Sequence, residues 1–166
     1  MQSVAGRASR ATAVLIAAGV PHLVHSYPHD RRTDAYGAEA VDALCVELGV
    51  APERILKTLV VRLGVTLAVA VLPVPRQLDL KSVATALGGR RAELAEPAAA
   101  ERATGYVLGG VSPLGLRSRL PMVLHDAVMS QETVLCGGGQ RGLEVELAPG
   151  DLLRLTGAVL APVTRG

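Results

Sequence analysis

The chain contains no phenylalanine and no tryptophan, and only three tyrosines among 166 residues. A core must therefore be built from Ala, Val and Leu. Stacking of bases on aromatic platforms, the usual grip on single-stranded nucleic acid, has almost nothing to work with. Cys45 and Cys136 are too few for a disulfide scaffold and point to a reduced, cytoplasmic protein with two small buried thiols. No apolar run reaches the roughly 18 residues that a membrane helix needs; the longest, residues 63–74, contains Thr66 and is broken by Pro73. Lysine is limited to Lys57 and Lys81, the other cations being arginine. A net charge of +2 is too small for a protein that coats duplex DNA, so any nucleic-acid contact has to be local.

What is present suits one folded domain over residues 1–166, with 49% hydrophobic and 19% charged residues. Arg7 and Arg10 ahead of the apolar stretch 13–20 imitate a signal peptide. Gly19-Val20-Pro21 stops a helix there and no small-residue cleavage site follows, so residues 9–18 are read as an amphipathic first helix. A strand at 22–27, a polar loop at 28–34 and a helix at 37–48 ended by Gly49 come next. The β-branched runs 55–63 and 65–72 around Gly64 predict a hairpin. Asp79 caps a helix over 80–87, residues 92–95 form a strand, and Pro97 opens a helix stopped by Gly105. Beyond the Gly- and Pro-containing loop 107–115 lie strands at 122–125, 133–136 and 143–147, a short helix from Pro149, and an edge strand within 158–163. Hairpins mixed with crossovers imply an α+β fold with a curved mixed sheet.

Lys57 is the most informative residue. Period-two alternation puts it on one strand face with Ile55, Leu59 and Val61, where a cation is costly unless it reaches water or lines a polar pocket. It is either an edge residue or a pocket cation facing a phosphate, a carboxylate or a developing oxyanion. The segment from Thr104 to Gly115 is the second feature, since glycines let backbone N–H groups approach an anion closely. It is neither a P-loop nor a dinucleotide fingerprint, and an ordinary Gly-Pro turn is the plainer alternative. The Gly137–Gly142 run is read as a flexible hairpin. Arg90, Arg91, Arg117 and Arg119 form either a local phosphate rim or a solvated face. His22 and His25 point to opposite strand faces and Pro28 interrupts the path to His29, so no metal site and no cofactor are expected. No serine elbow, carboxylate pair or supported thiol nucleophile marks a standard hydrolase. The residues alone lead to an α+β domain with an anion-friendly pocket.

Five blocks in order carry a resemblance: His25-Ser26-Tyr27-Pro28-His29-Asp30; Ile55 to Val61 around Lys57; Leu78-Asp79-Leu80-Lys81; Thr104-Gly105-Tyr106 through Gly109-Gly110-Val111-Ser112-Pro113-Leu114-Gly115; and Arg141 to Leu147. Together they resemble the YbaK/EbsC family, which is similar to the editing domain of bacterial prolyl-tRNA synthetases. The resemblance implies a barrel-like mixed sheet surrounded by helices, and removal of the wrong amino acid from the 3′ end of tRNA, chiefly cysteine from tRNA(Pro). Cysteine and proline are close in size, so a synthetic pocket rejects cysteine poorly and a second site must clear the error. In the implied mechanism the substrate's own thiol attacks its ester carbonyl, and the protein only positions the substrate and stabilises the oxyanion.

Carried onto this chain, Lys57 matches the essential lysine, Tyr27 a pocket tyrosine, and Gly109 and Gly110 the loop facing the reacting carbonyl. Tyr36, Ser112, Pro113, Gly137 and Glu144 fall at substrate-binding positions. Gly137 and Gln140 depart from the family's Ser and Lys, which loosens the preference for cysteine and leaves alanine or serine esters as alternatives. A non-catalytic module holding a tRNA end or nucleotide is the reading from a different class, and the retained Lys57 argues against it. The resemblance also implies a weak complex with prolyl-tRNA synthetase, and no DNA or membrane partner.

Overall fold

The computed structural model describes residues 9–165. Its first helix, α1 (Arg10–Ala17), begins at a reciprocal cap in which the Thr12 N–H donates to Ser9 Oγ and the Ser9 N–H to Thr12 Oγ1. Ser9 Oγ also donates to the Gly138 carbonyl at 2.6 Å, tying this helix to a distant loop. Ala11 and Leu15 are buried, so the segment that imitates a leader is packed into the core; Arg7 lies outside the described residues.

β1 (Leu23–Ser26) and α2 (Tyr36–Leu48) follow, the latter closed by Gly49 in the left-handed conformation. The expected hairpin is β2 (Leu56–Leu63) against β3 (Thr66–Pro73), antiparallel in full register from Leu56↔Pro73 to Leu63↔Thr66. β4 (Gln77–Leu78), α3 (Leu80–Leu87) capped by Asp79, β5 (Ala92–Leu94) and α4 (Pro97–Thr104) lead to β6 (Met122–His125). β7 (Val134–Gly137), β8 (Leu143–Leu147), α5 (Pro149–Thr156), β9 (Val159–Ala161) and β10 (Thr164–Arg165) complete the order.

The strands form a five-stranded sheet ordered β5-β2-β3-β6-β9, a three-stranded sheet ordered β1-β8-β7, and a small β10-β4 pair. β3 runs parallel to β6 and β6 to β9, which supplies the crossovers; the remaining pairs are antiparallel. One isolated parallel bridge, Ile55↔Leu135, joins the two larger sheets. The fold is therefore α+β, with sheets curved around a shared core rather than closed into a barrel. That core takes Leu56, Val69, Val71 and Leu124 from one sheet, Val134, Cys136, Val145 and Leu147 from the other, and Leu15 and Leu152 from flanking helices. Two-residue alternation puts the opposite face of the three-stranded sheet toward α2, where Tyr27, Ala40, Leu44, Ile55 and Leu135 pack together.

The expected edge strand shortens to Val159–Ala161, because Pro162 has no N–H for a ladder. Cys136 is buried as expected, whereas Cys45 is only half-buried on α2. Among the described residues no helix is long and apolar enough to cross a membrane. Leu15→Ala should cost about 2–5 kcal/mol, the usual penalty for emptying a fully buried leucine site, measurable by urea denaturation.

Candidate active site

A cleft of about 540 Å³ opens where the two sheets and α2 meet. Lys57 and its strand neighbours come from β2, Tyr36 and Gly37 from the start of α2, Leu108, Gly109 and Val111 from the glycine-rich loop, and Tyr27, Gly137 and Glu144 from the three-stranded sheet side. The bridge Ile55↔Leu135 sets their alignment. Continuing its parallel register by two residues brings Lys57 beside Gly137, and Gly137 is paired directly with Glu144. A cation, a bare backbone position and an acid thus lie in one row across β2, β7 and β8. Two strand spacings separate the outer members, or about 10 Å between their α-carbons.

Lys57 is half-buried, and no hydrogen bond or ion pair engages its amine among the described residues. Burial alone pulls its ammonium below the ordinary lysine range. Glu144 is 6% exposed, and burial pushes its carboxyl up to about 8. No hydrogen bond reaches that carboxyl among the described residues. Tyr27, 8% exposed, has its phenol held far above the usual range by burial, reinforced by Glu144 and Glu39, so it is a neutral hydroxyl at any physiological pH. Thr58 Oγ1 is buried at the cleft without a partner.

The glycine-rich loop divides into exposed and structural groups. Gly109 has φ +85°, and a β-carbon on it would lie 2.5 Å from the Tyr36 ring, so only glycine lets the loop sit against that wall. The Gly110 N–H is already given to the Val107 carbonyl at 2.9 Å, and Gly110 packs on the Gln140–Arg141 backbone outside the cleft lining. Ser112 is fully buried, its Oγ accepting from the Leu114 N–H, and with Pro113 it shapes the loop from behind. Tyr106 clamps the same loop by donating its hydroxyl to the Leu114 carbonyl at 2.6 Å. Of the expected site residues, Lys57, Tyr27, Tyr36, Gly109, Gly137 and Glu144 come together in the cleft; Gly110, Ser112 and Pro113 do not line it.

At Gly137 a β-carbon would overlap the Val111 carbonyl oxygen. The missing side chain is therefore occupied space: the loop's own carbonyl sits where a hydroxyl would project.

Sequence reasoning gave no bracing role to the residues that hold the cleft in shape. Arg141 donates Nε–H to the Leu108 carbonyl at 2.7 Å and lies over the Tyr36 ring at 5.0 Å, clasping loop to helix at the mouth. His29 Nδ1 is 2.7 Å from Glu39 Oε1, and Glu39 also accepts from the Asp30 N–H, fixing the segment between Tyr27 and Tyr36. Behind Glu144, Glu146 holds His25 Nε2 at 2.8 Å, Thr133 Oγ1 at 2.5 Å and the Arg54 guanidinium at 3.3 Å, locking β1, β7 and β8 together. His22 bonds the Val20 carbonyl, so the three histidines serve three separate partners. His125 is engaged by the Val163 N–H, and no hydrogen bond joins it to Cys136. Arg91 adjoins Ala92, which pairs with Leu63, about 20 Å along β2 from Lys57. Arg90, Arg91, Arg117 and Arg119 line no part of the cleft.

The arrangement offers binding of a small acyl group between the unpaired Lys57 amine, Gly109 and the buried Glu144 carboxyl, and among the described residues no hydrogen-bonded nucleophile–base pair lies in the cleft. Comparison with known proteins identifies the family. Residues 36–155 match the family model described as the aminoacyl-tRNA editing domain. An Enterococcus faecalis protein named as a Cys-tRNA(Pro)/Cys-tRNA(Cys) deacylase is 34% identical over 143 residues, covering 84% of this chain and 87% of its own. The Escherichia coli multifunctional Ser/Thr-tRNA deacylase ProXp-y is 31% identical over 87 residues, 52% of each chain. A crystal structure described as a trans-editing enzyme for prolyl-tRNA synthetase superposes with a TM-score of 0.81 at 27% identity, covering 99% of this chain and 100% of that one.

Two outcomes follow from this geometry. Gly137→Ala should lower the melting temperature and displace the 107–115 loop, seen in a crystal structure as retreat of Val111 from β7. Glu144, raised from 4.5 to about 8, binds its proton more tightly folded than unfolded, so its stability contribution is greatest below pH 4.5 and falls as pH rises toward 8. His125, held low mainly by burial, runs the other way up to about pH 6.5. The difference in melting temperature between wild type and Glu144→Gln, scanned from pH 5 to 8, isolates the Glu144 effect and should shift steadily in favour of the variant.

Proposed function

Because the chain belongs to the aminoacyl-tRNA editing family, we propose that its cleft removes cysteine from mischarged tRNA(Pro), acting in trans on the 3′ aminoacyl end. The observation that carries this reading is Lys57: a half-buried amine with no partner, on the cleft wall in one row with Gly137 and Glu144. An unpaired cation in a partly dry cleft is poised for charge that develops only during reaction, such as the oxyanion of a tetrahedral intermediate. The Gly109 amide is the second donor at hand.

The substrate supplies the nucleophile that the protein lacks. Its thiol sulfur bonds to the ester carbonyl carbon, the carbon–oxygen bond to the ribose breaks, and the ribose oxygen takes up the proton released by the thiol. Free tRNA and a cyclic thioester result, and water later opens the thioester. Tyr27 and Tyr36 shape the acyl pocket. The 34% identity to a relative named for Cys-tRNA deacylation supports this choice of amino acid. Arg141 at the mouth, with Arg31 and Arg32 in the loop before Asp34, offers cations for the phosphates of the acceptor strand. A weak complex with prolyl-tRNA synthetase and a cytoplasmic setting belong to the same reading.

The relative named for Ser/Thr-tRNA deacylation favours a second reading, in which water attacks the ester of a small amino acid without a thiol. Purified protein should release cysteine from Cys-tRNA(Pro) faster than alanine or serine from the same tRNA. Lys57→Ala should reduce that release by about 100-fold or more, the scale on which loss of an oxyanion donor is felt, while far-UV circular dichroism stays unchanged. Equal cleavage of all three esters would favour the water route; binding without turnover would favour a non-catalytic module. Unimpaired release by Lys57→Ala would remove the mechanism.

A further inference from the structure

Ester cleavage as described leaves one corner of the cleft without a task. Glu144 presents an almost fully buried carboxyl that no donor satisfies among the described residues. Beside it, over Gly137, lies the Val111 carbonyl, which also receives no hydrogen bond among those residues. Because Gly137 and Glu144 are directly paired, a side chain on one would stand about 5 Å from that of the other, so carbonyl and carboxyl share one small space.

None of the groups around Glu144 bonds its carboxyl among the described residues. On its own strand, Glu146 is already bonded to His25, Thr133 and Arg54. From β1 come His25, whose Nδ1 is buried without a partner, and then Tyr27, a neutral phenol. From β7 comes the buried Cys136 thiol, from α2 Glu39 bonded to His29, and from β2 Lys57 beyond Gly137. An unpartnered carboxyl and an unpartnered carbonyl side by side are well matched to an amine that can take the carboxyl's proton and then bring positive charge and several N–H donors.

We propose that Glu144 and the Val111 carbonyl, brought together over Gly137, hold the free α-amino group of the aminoacyl ester, which takes up the proton of the Glu144 carboxyl to form an ammonium–carboxylate pair. The reacting carbonyl, one carbon away from that nitrogen, then turns toward Lys57 and the Gly109 amide along the row of β2, β7 and β8. The site selects esters whose amine is free. An N-acylated or peptidyl ester has no charge to offer Glu144, and its acyl group would run into the Val111 carbonyl. This inference rests on the deacylase reading above and names the substrate group that reading leaves unassigned.

The test compares three esters of tRNA(Pro) under single-turnover conditions: cysteinyl, N-acetylcysteinyl and 3-mercaptopropionyl, the last keeping the thiol and lacking the amine. Wild type should cleave the cysteinyl ester roughly 10- to 100-fold faster than either amine-blocked or amine-free ester, the worth of a charge-assisted hydrogen bond. Glu144→Gln should lose about that factor on the cysteinyl ester and stay within about threefold of wild type on the 3-mercaptopropionyl ester. That residual turnover also shows the variant is folded. If the variant slows both thiol esters alike, Glu144 serves a group they share, and the ammonium assignment is overturned. Wild-type turnover indifferent to the amine overturns it as well, with the deacylase reading intact. A wild type inert toward all three esters overturns both.

Discussion

A single pair of residues, Ile55 and Leu135, fixes how the two large sheets meet, and the rest of the cleft depends on that parallel bridge. Strand geometry does the remaining work. With side chains alternating every residue, whatever lies two positions beyond the bridge must face the same way as the bridge itself. Lys57 and Gly137 therefore share the cleft side with Tyr27 and Glu144, while Cys136 and Val145 turn into the common core. A slip of one residue would bury the lysine among valines and push core side chains into the cleft. The network centred on Glu146 guards against such a slip by tying β1, β7 and β8 with hydrogen bonds that fit only one register.

The second determinant is burial. Lys57, Glu144 and Tyr27 all have their protonation equilibria displaced toward the neutral form, and burial is the leading cause each time. A protein that pays this desolvation without internal pairing holds groups whose electrostatic reach is spent on a ligand instead. The clasp of Arg141 over Tyr36 and onto the Leu108 carbonyl holds the loop against the start of α2.

Much of this was legible in the sequence. The hairpin around Gly64, the Asp79 cap and the position of Lys57 on a strand face follow from local patterns, which depend only on near neighbours. Glu144 was reached through resemblance alone, because an acid in an alternating strand looks the same whether it meets water or a cleft. The glycine-rich loop was read as uniformly available, yet Gly110 spends its N–H on an internal turn and Ser112 spends its oxygen on Leu114. Such allocations depend on how a loop closes on itself. Gly137 was noticed as a departure, but its cause is a carbonyl arriving from Val111, which no pattern local to the 137–142 run could disclose. The His25–Glu146 contact likewise needs the diagonal between two strands whose pairing is set by the whole sheet.

The scarcity of aromatic residues has one more result. Tyr27 and Tyr36 line the cleft and Tyr106 clamps the loop that forms its roof. With no tryptophan and no phenylalanine elsewhere, every such chromophore of the chain lies in the cleft wall or in the contact that holds its loop. Its near-ultraviolet absorption, emission and dichroism thus originate at the cleft and its loop, and the rest of the fold is silent in that range. The protein carries a native, label-free gauge of what enters that space.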